Sequence, residues 1–503
     1  MSIVLESCAR DEQSAVIVKK VCGCSPKRNP MNIHVVTLPN RKCPYTTVEE
    51  KKEAEVSVLE ATLKNWQNLL PDLFRQFAKI KDGRKGGFRY KKGTILLCGL
   101  LLFIIQCESR REANREITGP EVLAVLKLFL PDIEGIPHYD TVANFLKKLA
   151  PGEVEKALTG FIQTLLRKKK LFPFLIERGY VVAIDGSGKH SGNCDGAKYQ
   201  GKALVRKRKD GTTYLVYVLE AVLVSPHGIQ LPIMAEFCEN EADFEKQDCE
   251  RKAFYRLAHR LKKEFSKLPI IIVADSLYAC GPVVQLCRKF NWDFMIVVKR
   301  GSLEATYDEA LRLMEIAKNE DFIENKHGER SQTFHWANDV AYDFKDSDNH
   351  KYSILLNFAK SYETWQETKK DGTIEQKETT WVWLSNKRIT SKNVVRRCNL
   401  IGRSRWGIET NFDVEKNDGY CFEHVFSKDW NAMLGWHALL RIAHVLNTLT
   451  LHAVNMWETV KEKGFKGTIK FIKKLLTSYL LDEAKFSFVL EKRYQLRLVA
   501  HPL

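Results

Sequence analysis

The chain has 503 residues, 44% of them hydrophobic and 28% charged, which is the composition of a globular protein with room for about two to four domains. Lys and Arg number 79 against 62 Asp and Glu, a net charge of +17, which favours a polyanionic partner, nucleic acid before an anionic membrane. A membrane span is excluded from the longest apolar run, TILLCGLLLFIIQC at 94–107, which is too short to cross and long enough for a core helix.

The N-terminus, MSIVLESCARDEQ, has no basic start followed by an apolar stretch, so it predicts no secretory signal. The 13 cysteines are scattered, and Cys98, Cys107, Cys280 and Cys287 sit inside apolar segments. They read as reduced packing residues of a cytoplasmic protein. Cys22, Cys24, His34 and Cys43 offer zinc donors, without the spacing of a standard knuckle pair.

In chain order, residues 1–55 show little periodicity and predict a loose arm. Residues 56–175 turn helical and predict a helical region of its own. Within it lie the basic loop KDGRKGGFRYKK, the apolar helix, and two further helices, EVLAVLKLFL and DTVANFLKKLA, with Asp140 as N-cap of the second. A helix-turn-helix is one reading of that pair, although its connection exceeds the usual turn of about 3–4 residues; a plain helical bundle is the other.

From about residue 176 the texture changes to strands. YVVAID (180–185) is a buried strand, and two strands flanking PHG form an antiparallel hairpin. A charged helix, the strand LPIIIVAD (268–275), a helix GPVVQLCRKF and the strand DFMIVVK follow. That order predicts an α/β fold, a ribonuclease H-like mixed sheet with flanking helices over 176–299 and 396–455. Residues 300–395 read as a β-rich insertion before the last helix of that domain, and 456–503 as a helical tail. His437, His444 and His452 read as helix residues rather than metal ligands.

Asp185 and Asp275 each end a buried strand, where sheet enzymes place their ligands. A later segment, RSRWGIETNFDVEKNDGY (403–420), stacks Arg405, Glu409, Asp413 and Lys416 on one helical side. Two strand-end aspartates and a helix-borne glutamate form a set of hard oxygen ligands suited to Mg²⁺. Two such ions about 3.5–4 Å apart activate an attacking oxygen and stabilise a leaving one.

These residues resemble the insertion-sequence DDE transposases, ribonuclease H-like relatives of retroviral integrases. The match is to the subgroup with the signature Tyr-x2-Arg-x3-Glu-x6-Lys. Arg405, Glu409 and Lys416 fit that spacing, and the signature Tyr falls on Gly402. GIPHYDTVANFLKKL resembles the helical region that precedes the catalytic domain in such proteins, and the resemblance implies that residues 56–175 bind DNA ends. The resemblance implies that Asp185, Asp275 and Glu409 are catalytic metal ligands, with Asp413 the rival for the third place. It implies that Arg405 and Lys416 grip phosphates beside the scissile bond, with Mg²⁺ as cofactor and Mn²⁺ as its substitute. The implied partners are transposon ends and target DNA, held by a homodimer at the nucleoid. Arg206, Lys207 and Arg208, in the basic tip VRKRKDG before the strand at 213, are further candidates for DNA contact, with a solvated turn as the other reading.

Trp381 and Trp383 alternate in TTWVWLSN and face the same way. Trp381 precedes Glu409 by 28 residues, close to where relatives that cut through a DNA hairpin carry a tryptophan. It is a candidate for stacking on an extruded base. Two alternatives stand beside the transposase: a nuclease of the same fold, and a DNA-binding protein whose catalysis has decayed.

Overall fold

The computed structural model describes residues 3–6, 17–20, 45–193, 199–209, 211–241, 246–317, 322–346, 349–369, 371–479, 482–492 and 494–499. It divides into residues 1–57 and 58–503. In the first unit β1 (Ile3–Glu6) and β2 (Ile17–Lys20) pair antiparallel. The zinc-donor set Cys22, Cys24, His34 and Cys43 lies outside the described residues. Helix α1 (Val48–Lys79) starts earlier than the expected residue 56. A reciprocal cap explains this: Thr47 Oγ1 accepts from the Glu50 N–H at 3.1 Å, and the Glu50 carboxylate accepts from the Thr46 N–H at 2.7 Å.

In the second unit, α2 (Lys92–Ile104), α3 (Arg110–Glu116), α4 (Pro120–Lys127), α5 (Tyr139–Lys148) and α6 (Glu153–Arg167) follow. Helix α2 is buried from Thr94 to Ile104, as its unbroken apolar sequence requires. A Cβ on Gly99 would fall 2.9 Å from Val142 and 3.0 Å from Leu439, so glycine sets the close approach of its neighbours. The pair α4 and α5 belongs to this bundle, and its long connection is not a helix-turn-helix turn. The N-cap of α5 is His138, not Asp140; Asp140 instead pairs with Arg110 at 2.6 Å.

The sheet comprises β3 (Leu175–Ile176), β4 (Gly179–Gly192), β5 (Leu204–Arg208), β6 (Gly211–Val224), β7 (Gln230–Phe237), β8 (Ile270–Ala274), β9 (Asp293–Val297), β10 (Phe322–His327), β11 (Arg330–Lys345), β12 (Lys351–Thr368) and β13 (Ile374–Ser385). Its order is β10-β11-β12-β13-β9-β8-β4-β6-β5, with β3 on β4 and β7 on β6. Strands β4, β8 and β9 run parallel and the others antiparallel, giving the mixed sheet that the sequence predicts. Helices α7 (Glu250–Glu264), α8 (Gly281–Phe290) and α9 (Glu304–Ile316) connect its strands. The 300–395 block is not a separate body. Its last strand pairs with β9 through Trp383–Val297, Leu384–Ile296 and Ser385–Met295, so it extends the same sheet.

After β13 come α10 (Val394–Arg396), a π-helical stretch Arg397–Ile401, a 3₁₀ turn Gly402–Arg405 and α11 (Trp406–Asn417). Helix α12 (Trp430–Leu451) is buried along almost its whole length between the sheet and helices α2, α5 and α6. Helices α13 (Trp457–Ser478) and α14 (Glu483–Glu491) follow, and beyond them Leu498 forms a bridge with Ala453. Among the described residues no helix is long and apolar enough to cross a membrane.

Candidate active site

The first two acids are placed by register. Strands β4 and β8 are buried through Ile184 and Ala274, and those residues are the last bridged parallel pair. The next residues are Asp185 and Asp275, so the two carboxylates sit on neighbouring strands where the parallel pairing stops. Strand β8 ends there, whereas β4, expected to end at residue 185, runs on to Gly192 against β6 with Asp185 opposite Glu220. Asp185 accepts from the Gly186 N–H at 2.8 Å, and Asp275 caps the turn Ser276–Tyr278 by accepting from the Leu277 N–H at 2.8 Å. Glycine at 186 is a steric need: a Cβ there would lie 2.4 Å from the Tyr217 ring.

The third acid arrives on α11. Ile408 and Phe412 bury one side of this helix against the sheet, and Gly407 lets it approach Val224, where a Cβ would come within 2.7 Å. One turn apart, Arg405 and Glu409 form an ion pair at 2.9 Å, and the same Arg405 Nη1 lies 3.9 Å from Asp185 Oδ2. The Arg405 side chain is only 9% exposed, so it bridges two acids rather than standing free for a phosphate. Asp413 is exposed and accepts from Asn417 Nδ2 at 2.6 Å. Lys416 is half-buried and pairs with Glu423 at 3.5 Å.

Asp185 is pushed up to about 6, first by burial; the Gly186 N–H offsets this, Glu250 and Asp275 raise it further, and Arg405 opposes them. An excess of negative charge beside hard oxygen donors is what a divalent cation relieves, so the donors suit one by their chemistry. Among the described residues, Asp185, Asp275 and Glu409 do not bring their ligand atoms all within 4.8 Å of one another in this structure; only Cys107, Glu112 and Glu116 close to that distance. There Lys473 already pairs with both carboxylates, at 2.7 and 2.6 Å.

An aromatic run borders the site. Trp383 is buried and stacks on half-buried Trp381 at 6.1 Å, which meets Trp406 edge-on at 6.2 Å. Trp406 is 48% exposed, and its ring lies 4.8 Å from the Arg405 guanidinium. Trp406 stands between Arg405 and Glu409 in the segment 403–420, and nothing in its spacing marked it as a site residue. The same run explains the departure at Gly402: a Cβ there would sit 2.7 Å from Trp383 Nε1 and 2.9 Å from its Cε2. Trp383 fills the room that a larger residue would need.

The basic tip is not a turn. Residues 204–208 form strand β5 on the sheet edge, pairing Arg206 with Thr213, Lys207 with Thr212 and Arg208 with Gly211. Arg206 and Lys207 are exposed there, beyond β6 from β4, and the structure does not bring them to the acids. Nor did the sequence point to Glu250, Tyr217 and Tyr278, which meet behind the two aspartates through contacts distant in the chain.

Two family models match parts of the chain. The family model described as "Transposase DDE domain" matches residues 245–446, and that described as "DDE_Tnp_1-associated" matches 74–162. Together they cover more than half of the chain. Asp275, Arg405, Glu409 and Lys416 lie within the first match, and Asp185 lies upstream of it. No curated protein matches. Among solved structures, a piggyBac transposase synaptic complex with hairpin DNA is similar over 88% of this chain and 83% of that one, at 11% identity and a TM-score of 0.32.

Proposed function

The chain belongs to the DDE transposases, and on that premise we propose that Asp185, Asp275 and Glu409 are the acids that cut and join DNA. The observation that carries this reading is the Arg405 bridge, which ties the α11 glutamate to the β4 aspartate beside the end of β8. Asp413, turned to Asn417, is the weaker third ligand.

The three carboxylates would hold a pair of divalent ions, Mg²⁺ with Mn²⁺ as substitute, which supply activation of the attacking oxygen and charge relief on the leaving one. In the first step, water attacks phosphorus at the transposon end. The P–O3′ bond breaks, leaving a 3′-OH and a 5′-phosphate. In the second, that 3′-OH attacks a target phosphodiester; one P–O bond forms, one breaks, and the target's 3′ oxygen departs with the proton. Arg405 holds Glu409 and Asp185 in mutual register throughout. Lys416 and exposed Trp406 flank the same helix, where a strand could be gripped by charge and by stacking. Trp381, packed behind Trp406, is the candidate for steadying an extruded base. Arg206, Lys207 and Arg208 on the edge strand would contact duplex backbone farther out. A homodimer would hold the two ends together.

The test is incubation of purified protein with its flanking terminal repeats and Mg²⁺ or Mn²⁺, resolved on a denaturing gel. Nicks at the repeat ends followed by joined target products are expected. Nicks without joining would make it a nuclease, and binding without nicks a decayed DNA-binding protein.

A further inference from the structure

We propose that Glu250 is a positioning residue for cleavage, which fixes Asp185 and Asp275 relative to one another through the hydroxyls of Tyr217 and Tyr278. The proposal rests on the reading of those two aspartates as metal ligands. Tyr217 donates to Glu250 Oε2 at 2.8 Å and Tyr278 to Glu250 Oε1 at 2.6 Å, so each carboxylate oxygen takes one hydroxyl. The two tyrosines come from different sides of the site. Tyr217 lies on β6 in register with Gly188 of β4, and its ring occupies the space beside Gly186, the residue after Asp185. Tyr278 ends the short turn that Asp275 caps, and it is completely buried.

Glu250 is itself anchored. It opens α7, whose Ala253, Phe254, Leu257, Ala258 and Leu261 are buried, and Phe254 packs on the Tyr278 ring at 5.0 Å. A carboxylate in the first turn of a helix is favoured there by the helix dipole, so this residue does not need the tyrosines to be stable. The tyrosines need it: Tyr278 comes from the turn that Asp275 caps, Tyr217 from the strand paired with the one that carries Asp185, and both hydroxyls converge on one carboxylate. Burial, with the neighbouring Glu250 charge, raises both phenols well above their usual range, so they remain donors at every working pH. Short hydrogen bonds to an ionised acceptor are about twice as strong as neutral ones. The result is a brace behind the two aspartates, of the kind that orients metal ligands from outside their own shell.

The test uses the full chain with Glu250→Gln, Tyr217→Phe, Tyr278→Phe and the double Phe variant. An amide accepts through one oxygen only, so Glu250→Gln deprives one hydroxyl of its acceptor while keeping the side-chain shape. Three quantities are read: the single-turnover nicking rate, the Kd for end DNA, and the Mn²⁺ concentration at half of the metal-induced rise in Tm without DNA. Glu250→Gln and the double Phe variant should each nick about 10–100-fold more slowly and need about 10-fold more Mn²⁺, with Kd unchanged. Wild-type nicking and Mn²⁺ midpoint in both would overturn the proposal. If Glu250→Gln fails to fold, the double Phe variant decides alone, and its wild-type behaviour would reduce Glu250 to a helix-end residue. Asp275→Asn separates the two claims. If it abolishes the Mn²⁺ response while Glu250→Gln does not move it, only the brace is wrong. If Asp275→Asn leaves the response intact, the metal-site reading fails and the brace with it.

Discussion

Replacing Gly402 by alanine tests whether Trp383 has taken the place of the signature tyrosine. Gly402 has helical dihedrals, φ −57° and ψ −43°, so backbone propensity alone would make Gly→Ala stabilising by about 0.5–1 kcal/mol. Sterics act the other way. The new methyl would lie 2.7, 2.9 and 3.0 Å from three atoms of the Trp383 indole. That ring is 1% exposed and stacked on Trp381, so it has little room to withdraw. Overpacking a dense core costs about 1–3 kcal/mol, which exceeds the propensity gain. Gly402→Ala should therefore lower the urea midpoint, and Gly402→Tyr, although it restores the family signature, should lower it further. Trimming the indole should relieve the clash, so Gly402→Ala with Trp383→Phe should lose less than the two single changes together, by about 1 kcal/mol. A Gly402→Ala protein with a raised urea midpoint would refute the reasoning, because only the propensity term would then be present.

The two cations of the signature should behave differently. Arg405→Ala removes the bridge between Glu409 and Asp185 and should depress nicking with little change in binding, whereas Lys416→Ala should reduce the slope of log K against log salt by about 0.9 on duplex DNA; equal effects on binding would remove the distinction. Trp381→Ala should make the first nick and then fail at forming or resolving a hairpin, as labelled ends on a denaturing gel would reveal; complete double-strand cleavage at the usual rate would leave Trp381 a packing residue. His437, buried in α12, is held down to about 4, chiefly by burial and then by Lys189. Its folded value is below the usual 6.5, so the unfolded chain binds the extra proton first, and stability present above pH 6.5 is lost as pH falls towards 4, by about 3 kcal/mol. His437→Asn should flatten that part of the pH profile relative to wild type in urea titrations, and parallel profiles would assign the loss to other groups.

What the sequence made legible was the part fixed locally. YVVAI and IIIVA are apolar enough to be buried on both faces, which a central parallel strand demands, and an aspartate directly after each marks its exit from the core. Arg405 and Glu409 are one helical turn apart, and their pairing follows from that spacing. The rest depended on tertiary context. VRKRKDG lacks apolar alternation and reads as a turn, yet an edge strand tolerates charge because one side faces solvent. Arg405 reads as a hand for phosphate, and only the packing of α11 on the sheet turns it inward to the acids. The joining of β13 to β9, the meeting of Gly402 with Trp383, and the convergence of Tyr217 and Tyr278 on Glu250 all link positions whose types carry no mutual signal.

The central claim is that Asp185, Asp275 and Glu409 together perform strand cleavage. Asp185→Asn, Asp275→Asn, Glu409→Gln and Asp413→Asn should be compared for nicking of terminal-repeat DNA in Mg²⁺ and in Mn²⁺, with binding measured on the same substrate. The amide keeps shape and removes the charge that holds a cation, so the first three should lose cleavage in both metals while still binding DNA, and Asp413→Asn should cut normally. Cleavage at the wild-type rate by Glu409→Gln, together with its loss in Asp413→Asn, would contradict the account.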